Sequence, residues 1–148
     1  MKSLKIGICG VGNVGGAVLD TLEKNPEIIR NQGGVKLEAI LVGARKGKSA
    51  VTNKDLNVVT DLKEVAASEE IDVFVELIGG TDLAKELVET AINNGKHVVT
   101  ANKALIASHG DELFKLAKEK DIQIGFEASV AGGTPVIKAL REGLVANK

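Results

Sequence analysis

Six residues, Gly10-Val11-Gly12-Asn13-Val14-Gly15, limit the fold more tightly than any other feature of the chain. An apolar run, Leu4 to Cys9, precedes them. A stretch with helical apolar spacing at Val14, Ala17, Val18 and Leu22 follows. Glycines at that spacing let a strand turn sharply into a helix. Gly10 permits the tight turn, Gly12 lets a ligand approach the main chain, and Gly15 lets helix and strand pack closely. The helix N-terminus then offers free N–H groups and a partial positive charge, which suit a pyrophosphate. The pattern alone is weak in a chain with 17 glycines. The strand before it and the helix after it supply the context that predicts a dinucleotide-binding turn.

The rest of the chain repeats the alternation. Strand patterns at Val35–Val42, "LNVVT", "IDVFVELI", "KHVVT" and "IQIGFEA" are separated by helical ones. The helical stretches are "PEIIRNQ", "DLKEVAAS" opened by Asp61, "LAKELVETAINN" capped by Thr81 or Asp82 and stopped at Gly95, "NKALIASHG" and "DELFKLAKEKD". Thr134 and Pro135 predict the cap and first position of a last helix. This order predicts an α/β, Rossmann-like, doubly wound and mostly parallel sheet with helices on both faces. Aromatic residues make up only 2% of the chain, so the core is built from Val, Ile, Leu and Ala, as suits strands buried on both sides.

Charge narrows the partners. Lys/Arg and Asp/Glu are interspersed, with a formal net charge of −1, which leaves no electrostatic footprint for nucleic acid or an anionic membrane. No apolar run approaches the roughly 20 residues of a membrane helix. The one cysteine, Cys9, fits a reducing, cytoplasmic compartment and reads as a small core residue. His97 and His109 form no ligand pattern, and no metal cluster of side chains is visible.

The cofactor type turns on the end of the second strand. An NAD site usually carries an acid there for the ribose 2′-hydroxyl. This chain reads Leu41-Val42-Gly43-Ala44-Arg45-Lys46, and Glu38 lies earlier, within the strand. Arg45 and Lys46 are either a 2′-phosphate site or a solvated basic loop; the first favours NADP, with NAD still usable.

Two further strand ends carry polar residues. Gly79-Gly80 closes "VELIGG", either as simple turn chemistry or to let backbone pass near the nicotinamide ribose. In "TANKAL", Thr100, Asn102 and Lys103 leave a strand together. A partly desolvated Lys103 there polarises a carbonyl or holds a hydroxyl during hydride transfer, or bonds the cofactor ribose, or is an ordinary surface lysine. Thr100 and Lys103 are expected at the cofactor.

The succession GVGNVG, VELIGG, TANKAL and FEASVAGGTP resembles homoserine dehydrogenase over nearly the whole chain, the last two motifs being the more specific. The resemblance implies an oxidoreductase that uses NAD or NADP to interconvert L-homoserine and L-aspartate 4-semialdehyde, on the route to threonine, methionine and isoleucine. It implies that Gly10 to Gly15 hold the pyrophosphate, that Ile78 and Gly79 lie along the nicotinamide half, and that Lys103 is the active-site lysine. It implies a monovalent cation, usually sodium, at the main-chain carbonyls of Glu127, Val130, Gly132 and Thr134. Oxygen donors on a glycine loop suit such a cation; a cation-free hinge is the alternative.

The family's members are much longer, with substrate-binding acids and a second lysine beyond this point. Residues 1–131 are therefore expected to form the dinucleotide-binding domain and 132–148 the start of a hinge and helix leading to a substrate domain. The chain alone is expected to bind dinucleotide with little or no turnover, and the full-length enzyme to be a homodimer. The competing readings are another small amino-acid or aldehyde dehydrogenase with the same first domain, and a non-catalytic NADP-binding module.

Overall fold

Each apolar run becomes a strand whose neighbours lie far away in sequence. The computed structural model describes residues 2–53, 55–130, 136–138 and 142. The strands are β1 (Ser3–Cys9), β2 (Lys36–Gly43), β3 (Asn57–Val59), β4 (Val73–Glu76), β5 (His97–Thr100) and β6 (Ile124–Gly125). They form one sheet in the order β3-β2-β1-β4-β5-β6. Every pairing is parallel. The register aligns Gly43, Cys9, Glu76 and Thr100 in one row at the carboxyl end. The expected parallel α/β sheet is the fold, and a parallel sheet needs crossover connections that cover its faces.

The helices are α1 (Asn13–Lys24), α2 (Pro26–Gly33), α3 (Leu62–Ala67), α4 (Asp82–Asn93), α5 (Lys103–Glu119), α6 (Glu127–Val130) and α7 (Val136–Lys138). On one face Val18, Leu19 and Leu22 of α1 pack on Ile6, Ile8 and Val75. On the other, α3, α4 and α5 bring Val65, Leu87, Ala91 and Leu113 against Cys9, Leu41, Phe74, Val98 and Ile124. Phe74 is fully buried there, and burial of one such side chain stabilises by about 1.5–3 kcal/mol.

Three local expectations are corrected, and two expected helical stretches join. Helix α1 turns Gly15, Val18, Leu19 and Leu22 to the sheet, while Val14 is 56% exposed and Ala17 is exposed too. Gly15 approaches Gly10 so closely that a Cβ would overlap the Gly10 carbonyl oxygen, and this contact sets the helix's rotation. The two helical stretches from 102 to 121 are one helix, α5, which runs through Gly110. Thr81 holds the N-cap position of α4 but its hydroxyl makes no cap bond, whereas Asp61 caps α3 by accepting from Lys63 N at 3.0 Å. The last strand is shorter than expected. After Gly125 the chain turns helical, with Ser129 N donating to Phe126 O at 2.9 Å. The expected cap at Thr134 and Pro135 lies outside the described residues, as does most of the segment 132–148.

Candidate functional site

Strand order changes direction between β1 and β4. The chain leaves β1 toward β2 on one side and leaves β4 toward β5 on the other. A crevice opens at such a point, outside the carboxyl ends of the strands. The glycine turn forms its rim. Gly10 has φ +100°, and a Cβ there would stand 2.5 Å from Leu77 O. Its N–H donates to Gly43 O at 3.1 Å, which ties the turn to the end of β2. Gly12 differs: a Cβ there would meet nothing within 4 Å. The main chain at Gly12 is thus bare toward solvent, and as N-cap of α1 it has no side chain to occupy the helix's first-turn N–H groups. Asn13 and Val14 are exposed beside it.

A cavity of about 560 Å³ lies against this turn and is lined by Gly10, Val11, Gly12, Arg45, Lys46 and Ile78 among others. The structure therefore brings the glycine turn, the basic pair after β2 and the end of β4 to one concavity. Arg45 and Lys46 are exposed side chains that follow β2. Glu38 is paired with Lys36 inside the strand, away from the strand's end. A second cavity, of about 600 Å³, lies between α1, β2 and residues 50–53. Asp20, Glu23 and Glu38 line it, which makes it a poor place for a phosphate.

Beyond Ile78 the chain turns through Gly79 and Gly80, both with positive φ (74° and 71°). This turn rests on Glu76, a fully buried carboxylate. Glu76 Oε1 accepts from Ile78 N at 2.9 Å and Gly79 N at 3.3 Å, and Oε2 accepts from Thr100 Oγ1 at 2.6 Å. Thr100 Oγ1 accepts from Asn102 N at 3.1 Å. Asn102 donates through Nδ2 to Gly80 O at 2.6 Å and accepts from Leu105 N at 3.0 Å as N-cap of α5. Ser129 Oγ donates to Thr100 O at 2.7 Å.

Two expected site residues take different places. Thr100 is buried and its hydroxyl is engaged with Glu76 and Asn102, so it braces the site from within instead of facing a cofactor. Lys103 opens α5 at the carboxyl edge, as expected, but its side chain is exposed rather than desolvated and does not line the 560 Å³ cavity. Among the described residues nothing covers it. Glu127 and Val130 bound the short helix α6, and the Glu127 carboxylate accepts from Ile137 N and Lys138 N at 3.0 and 3.1 Å. Gly132 and Thr134 lie outside the described residues. Cys9 is buried, as expected, with Sγ donating to Leu62 O at 3.5 Å. Burial, and then the neighbouring Glu76 and Asp61 charges, push its thiol up to about 12. His97 Nδ1 accepts from Gln123 N at 3.1 Å, a structural use. No group of His, Cys, Asp and Glu that could hold a metal ion occurs among the described residues.

Sequence reasoning passed over Glu76 and Ser129. The available signal for Glu76 was an acid inside the chain's most hydrophobic strand pattern, where a lone carboxylate needs a stated partner.

The family model described as "Homoserine dehydrogenase, NAD binding domain" matches residues 10–127. The chain belongs to this family. Its glycine turn, its Glu76 network and its Lys103 all fall within the matched region. A homoserine dehydrogenase of Pseudomonas aeruginosa is 53% identical over the whole chain, and one of Neisseria gonorrhoeae is 45% identical. Both matches cover 34% of the relative's length, so the chain spans about a third of the curated relatives it resembles. Among solved structures, a homoserine dehydrogenase from Thiobacillus denitrificans superposes with a TM-score of 0.88 at 45% identity, over 99% of this chain and 34% of that one. A hyperthermophilic archaeal homoserine dehydrogenase in complex with NADPH superposes with a TM-score of 0.80 at 31% identity, over 97% of this chain and 50% of that one. No helix among the described residues is long and apolar enough to cross a membrane.

Proposed function

We propose that this chain is the dinucleotide-binding part of an NAD(P)-dependent homoserine dehydrogenase, which interconverts L-homoserine and L-aspartate 4-semialdehyde. The observation that carries the reading is the bare main chain at Gly12, placed at the sheet's switch point in one cavity with Arg45, Lys46 and Ile78. Main chain left open at Gly12, and a helix start with no side-chain cap, fit a pyrophosphate. Gly10 to Gly15 hold it. Arg45 and Lys46 face a 2′-phosphate, which favours NADP over NAD. Ile78 and Gly79 border the nicotinamide half. When bound, the nicotinamide takes up or returns the hydride.

Lys103 stands at the same edge of the sheet and acts on the substrate's oxygen, holding the hydroxyl in one direction and polarising the carbonyl in the other. The main-chain carbonyls of Glu127 and Val130, with those of Gly132 and Thr134, hold a monovalent cation in this reading, and the longer protein works as a homodimer. Calorimetric titration of the chain with NADPH and NADH tests the core of it: binding in the micromolar range is expected, tighter for NADPH, and no binding of either overturns it. In the longer protein that carries this chain, homoserine oxidation is expected. There Lys103→Ala lowers turnover about 10²-fold or more while dinucleotide affinity stays within threefold. An unchanged turnover overturns the role of Lys103.

A further inference from the structure

Glu76 is an expensive residue to keep where it is. Its strand position faces the same side as Phe74, and both side chains are fully buried. A buried carboxylate costs several kcal/mol unless hydrogen bonds replace the water it loses, and an apolar side chain there would carry no such cost. What a carboxylate has and an apolar side chain lacks is two acceptor atoms on opposite sides. Both are used. One takes two N–H groups of the turn after β4, and the other takes the hydroxyl of Thr100 on β5, its directly aligned register partner.

The consequence spreads from Glu76 to two segments of the crevice edge. The Ile78–Gly80 turn contains two successive glycines with positive φ, a conformation with little intrinsic stiffness. Glu76 holds its first two N–H groups, and Asn102 Nδ2 holds its last carbonyl. Asn102 is itself fixed by Thr100 Oγ1 and caps α5 at the residue before Lys103. The turn beside Ile78 and the helix start that carries Lys103 are therefore set by one connected network, in which every link is a hydrogen bond of 3.3 Å or less.

We propose that Glu76 is a positioning residue for the half of the cofactor site away from the adenosine. It fixes the 78–80 turn directly and the start of α5 through Thr100 and Asn102, and touches neither cofactor nor substrate. The inference rests on the dinucleotide reading above. A dinucleotide lies across the crevice; with the 2′-phosphate side at Arg45, beyond β2, its other half lies over the ends of β4 and β5, where this network sits.

The test compares two ligands on three variants. NADPH spans the crevice, and ADP has the pyrophosphate and adenosine but no nicotinamide half. Thr100→Val removes the hydroxyl and strands one oxygen of Glu76, while Thr100→Ser keeps it. Glu76→Ala removes both acceptors. For Thr100→Val and Glu76→Ala, NADPH affinity is expected to fall about tenfold and ADP affinity to stay within twofold. Thr100→Ser is expected to bind both ligands within twofold of the unmodified chain. A parallel loss of both ligands in Thr100→Val and Glu76→Ala marks general destabilisation and overturns the proposal. Unchanged NADPH affinity in Thr100→Val, with or without a lowered melting temperature, overturns it too. If Glu76→Ala does not fold, Thr100→Val against Thr100→Ser decides. Failure of the unmodified chain to bind NADPH would instead overturn the dinucleotide reading itself.

Discussion

The inner and outer sides of one glycine turn predict opposite phenotypes for the same substitution. At Gly10 the φ of +100° is strained for any L side chain, and a Cβ would press on Leu77 O at 2.5 Å. The left-handed backbone costs about 1–2 kcal/mol and overpacking against backbone about 1–3 kcal/mol. Gly10→Ala is therefore expected to destabilise the fold by about 2–5 kcal/mol, a fall in melting temperature of roughly 4–20 °C for a chain of this size. At Gly12 a Cβ meets nothing within 4 Å. The same change there is expected to alter stability by no more than about 1 kcal/mol. Its cost falls on the ligand, because the new methyl group stands where a pyrophosphate must approach the main chain. Loss of one charge-assisted N–H contact is worth about 1.5–3 kcal/mol, or roughly 10- to 150-fold in affinity. Differential scanning calorimetry and NADPH titration on both variants read the two effects separately. Gly12→Ala binding NADPH like the unmodified chain would refute the placement of the phosphates, whatever Gly10→Ala does.

Two further expectations follow from the same structure. Arg45→Gln is expected to weaken NADPH about tenfold or more and NADH less than twofold, read by titration; equal losses would remove the 2′-phosphate role. The thiol of Cys9 is raised from 9.0 to about 12 in the folded chain. Above pH 9 the unfolded chain releases this proton and the folded chain keeps it, so stability falls as pH rises, by about 1.4 kcal/mol per unit up to about pH 12. Urea unfolding between pH 9 and 10.5 is expected to show a steeper decline for the unmodified chain than for Cys9→Ala, and parallel slopes would count against burial as the cause.

What the sequence made legible was whatever depends on local pattern. The parallel sheet, the glycine turn and the basic pair at Arg45 and Lys46 were all readable because period, spacing and glycine placement are local properties. What escaped depends on partners far away in the chain. Thr100 looked like a cofactor contact because a polar residue at a strand end usually faces the crevice; its register partner Glu76, 24 residues earlier, draws its hydroxyl inward instead. The apolar pattern "IQIGFEA" reads as strand through Ala128, yet Glu127 and Ala128 open a helical turn in which Ser129 Oγ donates back to Thr100 O. The buried face of α1 shifted because Gly15 meets Gly10 across the turn, a contact no hydrophobic period records.

The strand order has a consequence for how the chain is made. Strand β1 leaves the ribosome before β4, with which it pairs, and Lys5 N is bonded to Asp72 across a separation of 67 residues. At about 5–20 residues per second, roughly 3 to 13 seconds of synthesis separate those partners. Gly10 waits as long for Leu77, the backbone it must fit against. The glycine turn proposed to hold a pyrophosphate is thus translated 67 residues ahead of the backbone it fits against, and until Leu77 is made the nascent chain holds the motif without its seat.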